Sequence, residues 1–330
     1  MNRQWKLAAR PVGLVKRSDF AFTDAPVPEP GPGEALVRTQ LLSLDPAMRG
    51  WMNEGRSYVA PVALGAVMRA GGLGRVEKSN DPSLAPGDIV TGMLGVQEWA
   101  SVKAKELNKI DLGLAPAPKW LSVLGLTGLT AYFGLLDIGQ AKSGNTVVVS
   151  GAAGAVGTVV GQIAKIKGCR AVGIAGGAEK CAYISGLGFD AVIDYKTQEL
   201  RGALRASCPQ GIDVYFDNVG GETLDEALAQ LARGARVVIC GAISQYNSTE
   251  GFRGPKNYMS LLVNRARMEG FVVFDFAARY REAIAAMAGW LKEGRLKTRE
   301  DIVRGIDTFP ETLLKLYRGE NFGKLILEVA

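Results

Sequence analysis

The sequence predicts an α/β chain of two domains, a small β-barrel followed by a doubly wound parallel sheet. Three observations carry this. From residue 147 onward, short apolar runs alternate with stretches of helical spacing, as in a parallel sheet joined by crossovers. Glycines 151, 154 and 157 stand directly after the first of these runs and open a helix. The first 120 residues instead read as short strands separated by turns rich in proline and glycine. A chain of 330 residues also exceeds one ordinary core, so two domains are the expectation.

Taken in order, Pro26-Val27-Pro28-Glu29-Pro30-Gly31-Pro32-Gly33 cannot be regular structure, and residues 35–42 read as a strand. Pro86-Gly87-Asp88 is a turn ahead of a strand at 89–91. Pro116 and Pro118 mark a joint, after which 120–136 reads as one helix. Strands are then expected at 147–150, 171–175, 191–194, 214–217, 237–240 and 271–274, which makes a six-stranded sheet. An amphipathic helix follows residue 277, with Ile284, Met287, Ala288 and Leu291 on one face. Residues 324–329 read as a strand that returns to the first domain. The expected boundaries are 1–120, 121–290 and 291–330.

The 39 basic and 33 acidic residues give a net charge of +6, scattered along the chain, whereas a nucleic-acid binder more often clusters its charge. The excess reads as mild attraction for anionic ligands. Cys169, Cys181, Cys208 and Cys240 contain no CxxC pair, so neither a disulfide framework nor a metal knuckle is expected, and a reducing compartment is. Histidine is absent, which leaves proton chemistry to Tyr, Lys, a carboxylate or a cofactor. The N-terminus lacks a signal-peptide core, and the greasiest stretch, 121–136, is too short and too rich in small polar residues to span a bilayer. The reading is a cytoplasmic protein with no membrane, nucleic-acid or metal partner.

Glycines in a strand-to-helix turn let a phosphate approach the backbone while the free N–H groups of the helix face the anion. A dinucleotide pyrophosphate fits there. Folds that prefer NAD carry a carboxylate at the tip of the second strand. Here that strand ends in Gly176-Gly177-Ala178-Glu179-Lys180. Lys180 near a 2′-phosphate favours NADP(H), and Tyr195 is a candidate for the adenosine end. Asn218, after the fourth strand, is placed to bond the ribose or phosphate chain, or to form its turn through its own side chain.

The chain resembles the zinc-independent branch of the medium-chain dehydrogenase/reductase superfamily, with its leukotriene dehydrogenases, prostaglandin reductases, alkenal double-bond reductases and bacterial curcumin reductases. The resemblance rests on Ser43-Leu44-Asp45-Pro46-Ala47-Met48-Arg49, Gly71-Gly72-Leu73-Gly74-Arg75-Val76, Leu126-Thr127-Gly128-Leu129-Thr130-Ala131-Tyr132, Ala152-Ala153-Gly154-Ala155-Val156-Gly157, Phe216-Asp217-Asn218-Val219-Gly220-Gly221, Ser244-Gln245-Tyr246-Asn247 and Gly319-Glu320-Asn321-Phe322-Gly323-Lys324. It implies a GroES-like β-barrel domain completed by the C-terminal tail, a Rossmann domain between, NADPH in the cleft, and a homodimer. Carried over, Gly154, Ala155 and Val156 would lie along the pyrophosphate, and Gly176, Lys180 and Tyr195 near the adenosine phosphate. Asn218 and Asn321 would reach towards the nicotinamide, with Thr127 beside it and Cys240 and Phe274 lining it. Zinc-dependent relatives need cysteine and histidine ligands, and Asp45-Pro46 stands roughly where such a chain places a ligand cysteine.

The resemblance further implies reduction of an α,β-unsaturated ketone or aldehyde by hydride transfer to the β-carbon. A donor is then needed for the negative charge on the carbonyl oxygen. Two candidates stand open, the phenol of Tyr246 and the nicotinamide ribose hydroxyl. Met48, Arg49 and Tyr58 are candidates for the substrate pocket. The rival readings are an NADPH-dependent quinone oxidoreductase and a catalytically silent NADPH-binding protein.

Overall fold

Burial alternates along the first long strand: Val37, Thr39 and Leu41 are buried while Arg38 and Gln40 face out, the period of two of a sheet with one wet face. The computed structural model describes residues 1–329, which divide into two compact units, residues 1–122 with 300–329 and residues 123–299. The strands in chain order are β1 (Asn2–Leu7), β2 (Phe20–Ala25), β3 (Glu34–Ser43), β4 (Gly71–Ser79), β5 (Ile89–Met93), β6 (Trp99–Lys103), β7 (Asn108–Lys109), β8 (Thr146–Ser150), β9 (Arg170–Ala175), β10 (Ala191–Asp194), β11 (Ile212–Asp217), β12 (Leu231–Ile239), β13 (Arg267–Gly270), β14 (Glu300–Arg304) and β15 (Lys324–Glu328).

In the first unit β1 and β2 form an antiparallel pair, and seven further strands described here form one sheet in the order β14-β15-β3-β4-β5-β7, with β6 also on β3. β15 lies parallel to β14 and antiparallel to β3, with Ile326 opposite Ser43 and Glu328 opposite Leu41. The tail thus completes the sheet that the first hundred residues begin. Trp5, Phe20, Met48, Met52, Phe309 and Leu327 share one core, and the Trp5 indole N–H donates to Ile306 O at 2.7 Å.

The second unit is the doubly wound α/β domain. Its six described strands run parallel in the order β10-β9-β8-β11-β12-β13. β8 is buried throughout, as a central strand covered on both faces must be. From β8 the chain winds outward to β10, then returns to wind the other way from β11, so the carboxyl ends of β8 and β11 flank the crevice where such sheets take ligands.

Two expectations are corrected. The helix read across 120–136 is instead Ala117–Leu121 and Leu126–Phe133, continued by a π-helical turn, Gly134–Ile138. The break is steric and conformational, because Gly125 is extended and a Cβ on Gly128 would lie 1.8 Å from Val123 O. The sixth strand is Arg267–Gly270 and not 271–274, where the chain enters a 3₁₀ helix, Val273–Arg279. As an edge strand paired only with β12 it does without the apolar run that identifies a central strand.

Candidate active site

The glycine turn after β8 has three glycines with three different reasons. Gly151 takes φ +59°, the left-handed region. Gly154, extended, is the N-cap of the helix Ala155–Ile166 and has no side chain to cover the first N–H groups. A Cβ on Gly157 would lie 2.3 Å from Gly151 O, so helix and turn pack more closely than any other residue allows. Ala155 and Val156 therefore begin the helix with unfilled backbone donors at its positive end.

Across the crevice, Asp217 ends β11 almost fully buried. Its Oδ1 accepts from Ser150 Oγ at 2.8 Å, Tyr215 OH at 3.1 Å, Val219 N at 3.1 Å and Gly220 N at 3.0 Å. Its backbone carbonyl takes the N–H groups of Cys240 and Gly241. One residue thus ties together the ends of β8, β11 and β12, although burial pushes its carboxyl pKa up. Asn218 donates from its side chain to Ser150 O and from its backbone to Ser150 Oγ, both at 2.8 Å, so its carboxamide is anchored on β8 beside the glycine turn.

At the tips of β9 and β10 a second corner forms. A Cβ on Gly176 would meet the Tyr195 ring and hydroxyl at 2.7–2.8 Å, so the exposed tyrosine lies flat on the glycine. Lys180 sits half-buried in the helix Ala178–Gly186, and burial, then the charge of Lys196, lowers its pKa. Two cations close enough to repel each other suit a dianionic group. The Asp194 carboxylate is turned away onto the backbone N–H groups of Gly177 and Lys196, which hold its pKa low.

Beyond β12, Tyr246 is half-buried, its phenolic oxygen accepts the Ala242 N–H at 3.1 Å, and its ring packs edge-on to Phe252. Cys240 is half-buried, and burial, helped by Asp217, pushes its thiol up to about 12, which keeps it neutral. Thr127 lies in the first turn of Leu126–Phe133, and Phe274 is exposed in the 3₁₀ helix.

In the first unit, Met48 has no exposed surface and belongs to the Trp5 core. Arg49 is also buried, and its guanidinium donates to Pro11 O, Gly13 O and Asn53 Oδ1, so both residues hold the 48–53 segment in place and neither reaches solvent. Tyr58 is exposed. Asn321 is buried and donates to Gly323 O at 3.1 Å. Next to it Lys324, 2% exposed, donates to Leu44 O at 3.0 Å and to Asp45 Oδ1 at 2.5 Å, while Ser43 Oγ donates to the other oxygen of Asp45.

Sequence reasoning did not single out Asp217, Lys196 or Lys324. Each had a signal: an acid directly before a turn with two glycines, a second lysine beside Tyr195, and a cation in an otherwise apolar strand. Among the described residues no group of three or more Cys, Asp or Glu side chains could hold a metal ion, and no helix is long and apolar enough to cross a membrane.

Comparison with known proteins agrees with this architecture. A family model for the N-terminal domain of oxidoreductase matches residues 3–110, and one for zinc-binding dehydrogenase matches residues 155–289. YfmJ of Bacillus subtilis, which carries a provisional name as an NADP-dependent oxidoreductase, is 49% identical over all of this chain and 98% of its own length. The NADPH-dependent curcumin reductase of Escherichia coli is 44% identical over all of this chain and 97% of its own. The crystal structure of CurA from Vibrio vulnificus in complex with NADPH superposes with a TM-score of 0.94 at 44% identity, over 99% of both chains. A GroES-like β domain, a Rossmann sheet in the order found here and relatives matched from end to end lead to one assignment: the chain belongs to the medium-chain dehydrogenase/reductase superfamily, in its zinc-independent reductase branch.

Proposed function

We propose that the chain is an NADPH-dependent reductase of the carbon–carbon double bond in α,β-unsaturated ketones and aldehydes. The observation that carries the reading is a phenol, Tyr246, anchored by a backbone N–H at the carboxyl end of β12, beside the crevice whose glycine turn suits a pyrophosphate. The residues fit the phosphorylated cofactor: the tip of β9, Ala175-Gly176-Gly177, carries no carboxylate of its own, the Asp194 carboxylate beside it is engaged by the N–H groups of Gly177 and Lys196, and Lys180 and Lys196 supply positive charge there. The names of the Escherichia coli and Vibrio vulnificus relatives support the same cofactor, and the first supports an enone substrate.

In this reading the backbone donors of Ala155 and Val156 hold the pyrophosphate, and Gly154, whose N–H is bonded to Gly151 O, leaves room for it to approach. Lys180, Lys196 and Tyr195, lying on Gly176, hold the adenosine phosphate. Asn218, Thr127, Cys240 and Phe274 are assigned to the nicotinamide end. The bound cofactor supplies a hydride to the β-carbon, which leaves negative charge on the substrate's carbonyl oxygen. Tyr246 donates to that oxygen. A phenol, with its ordinary pKa of about 10, keeps its proton at neutral pH, and a preorganised donor of this kind is worth ~3 to 4 kcal/mol of barrier. Tyr246→Phe tests the assignment. We expect turnover of a simple enone with NADPH to fall by about a hundredfold. A loss below about threefold would assign the donor role elsewhere, with the ribose hydroxyl next in line, and faster turnover of a quinone than of any enone or alkenal would replace the substrate class.

The chain pairs with a second copy along β13. That strand is a free sheet edge, and Tyr258, Met259, Leu262, Val263 and Met268 expose apolar surface on it and on the adjoining helix Met259–Asn264. The four free cysteines support residence in the cytoplasm.

A further inference from the structure

One residue just after β12, Gly241, has no role in the chemistry so far. A Cβ built on Gly241 would stand 2.8 Å from the phenolic oxygen of Tyr246, closer than real Cβ atoms come, but 3.8 Å from Cζ, the ring carbon that bears the oxygen. Asn218 O, at 3.6 Å, is in ordinary contact. Gly241 is not among the glycines with positive φ, so an alanine there meets no backbone strain. Glycine is needed at this position for room, and the room is filled by one oxygen atom. The neighbouring Ala242 N–H donates to that same oxygen at 3.1 Å. An oxygen that accepts this bond must direct its own proton elsewhere, and accepting polarises its O–H for donation.

We propose that Gly241 and the Ala242 amide form the seat that fixes the Tyr246 phenol, which makes Gly241 a positioning residue for the reduction. The functional half of this rests on the donor role given to Tyr246 above. The steric half does not, because the seat is a relation between position 241 and one oxygen atom whether or not that atom takes part in the reaction.

The test is a double-mutant cycle on the full chain with Gly241→Ala, Tyr246→Phe and both together. It reads the thermal midpoint without cofactor, the NADPH dissociation constant, and kcat and KM for 3-penten-2-one. With Tyr246 present, Gly241→Ala should lower the midpoint by about 2 °C or more. It should lower kcat by roughly ten- to a hundredfold, as expected for a donor displaced by about 1 Å, with KM and NADPH affinity within about threefold. In the Tyr246→Phe background both costs should vanish, since the nearest atoms to the new methyl are then Asn218 O at 3.6 Å and the ring carbon at 3.8 Å, both in ordinary contact. Equal costs in the two backgrounds, or no cost with Tyr246 present, overturn the proposal. If Gly241→Ala fails to fold and the double variant folds, the seat stands in its strongest form; if neither folds, the clash is not with the hydroxyl and the seat is refuted. A harmless Tyr246→Phe overturns the donor role alone, and the midpoints still decide the seat.

Discussion

Replacing Lys324 by methionine removes an ammonium but keeps most of the side-chain volume, in a strand where Leu325, Ile326 and Leu327 are all buried. Three things are lost or exposed: the ion pair to Asp45 at 2.5 Å, the bond to Leu44 O at 3.0 Å, and the charge balance of Asp45. Removing one partner of a fully buried pair costs about 3 to 5 kcal/mol, mostly because the other charge is stranded. The Asp45 side chain is 24% exposed and keeps its bond from Ser43, so water and that hydroxyl recover part of it. We expect a net cost of about 2 to 3 kcal/mol. Urea unfolding followed by tryptophan fluorescence is suited to this, because Trp5, Trp51, Trp99 and Trp120 lie in the unit that contains the pair and only Trp290 lies outside it. Adding Asp45→Asn should return about 1 kcal/mol or more by discharging the stranded carboxylate. A cost below about 1 kcal/mol for Lys324→Met, or no recovery in the double variant, would mean that the pair is not the clasp described here.

Two further outcomes are expected. Gly176→Ala drives a methyl into the Tyr195 ring, and Lys196→Ala removes a cation beside Lys180; each should weaken NADPH by about tenfold and NADH by less than about threefold, read by titrating cofactor fluorescence. An equal effect on both cofactors would move the 2′-phosphate away from this corner. Because burial, helped by Asp217, pushes the Cys240 thiol up to about 12, its thiolate fraction should be negligible at neutral pH and rise only as pH approaches that value. Cys240 should stay unlabelled by iodoacetamide between about pH 7 and pH 9 in peptide mass maps, and Cys240→Ser should leave the pH–rate profile unchanged there. Rapid labelling or a shifted profile would contradict a neutral thiol.

The parts of the fold legible in sequence are those where one residue type answers one local demand. Glycines 151, 154 and 157 each meet a separate backbone requirement at the turn after β8, and the run 147–150 is buried on both faces, so both announce themselves. The strand Arg267–Gly270 does not, because an edge strand needs only backbone pairing on one side. The break at Ser122 to Gly125 was hidden for a different reason: it depends on Val123 folding back onto Gly128, a contact that no periodicity encodes. At the site, the glycine spacing could be read because the backbone of the turn demands it, and Lys180 is proposed from the charge that a phosphate would ask for. The status of Met48 and Arg49 could not, since a methionine and an arginine after a turn look the same whether they face a ligand or fill a core and clamp carbonyls. Asp217 and Lys324 act through partners on other strands, Asp217 through Ser150 and Lys324 through Asp45, and only the folded chain brings those partners together.

The pairing of β15 with β3 bears on how the chain is made. Lys324 and Leu44 meet although they lie 280 positions apart, and every residue of 123–299 leaves the ribosome before the partner of β3 does. The Rossmann unit is contiguous and can close while synthesis continues. The barrel must wait with the lower half of β3 open, an unpaired apolar edge that a chaperone would cover and a neighbouring nascent chain could capture. Its last pairing closes a long loop, and its yield should depend more on temperature and crowding during translation than on the stability of the finished protein.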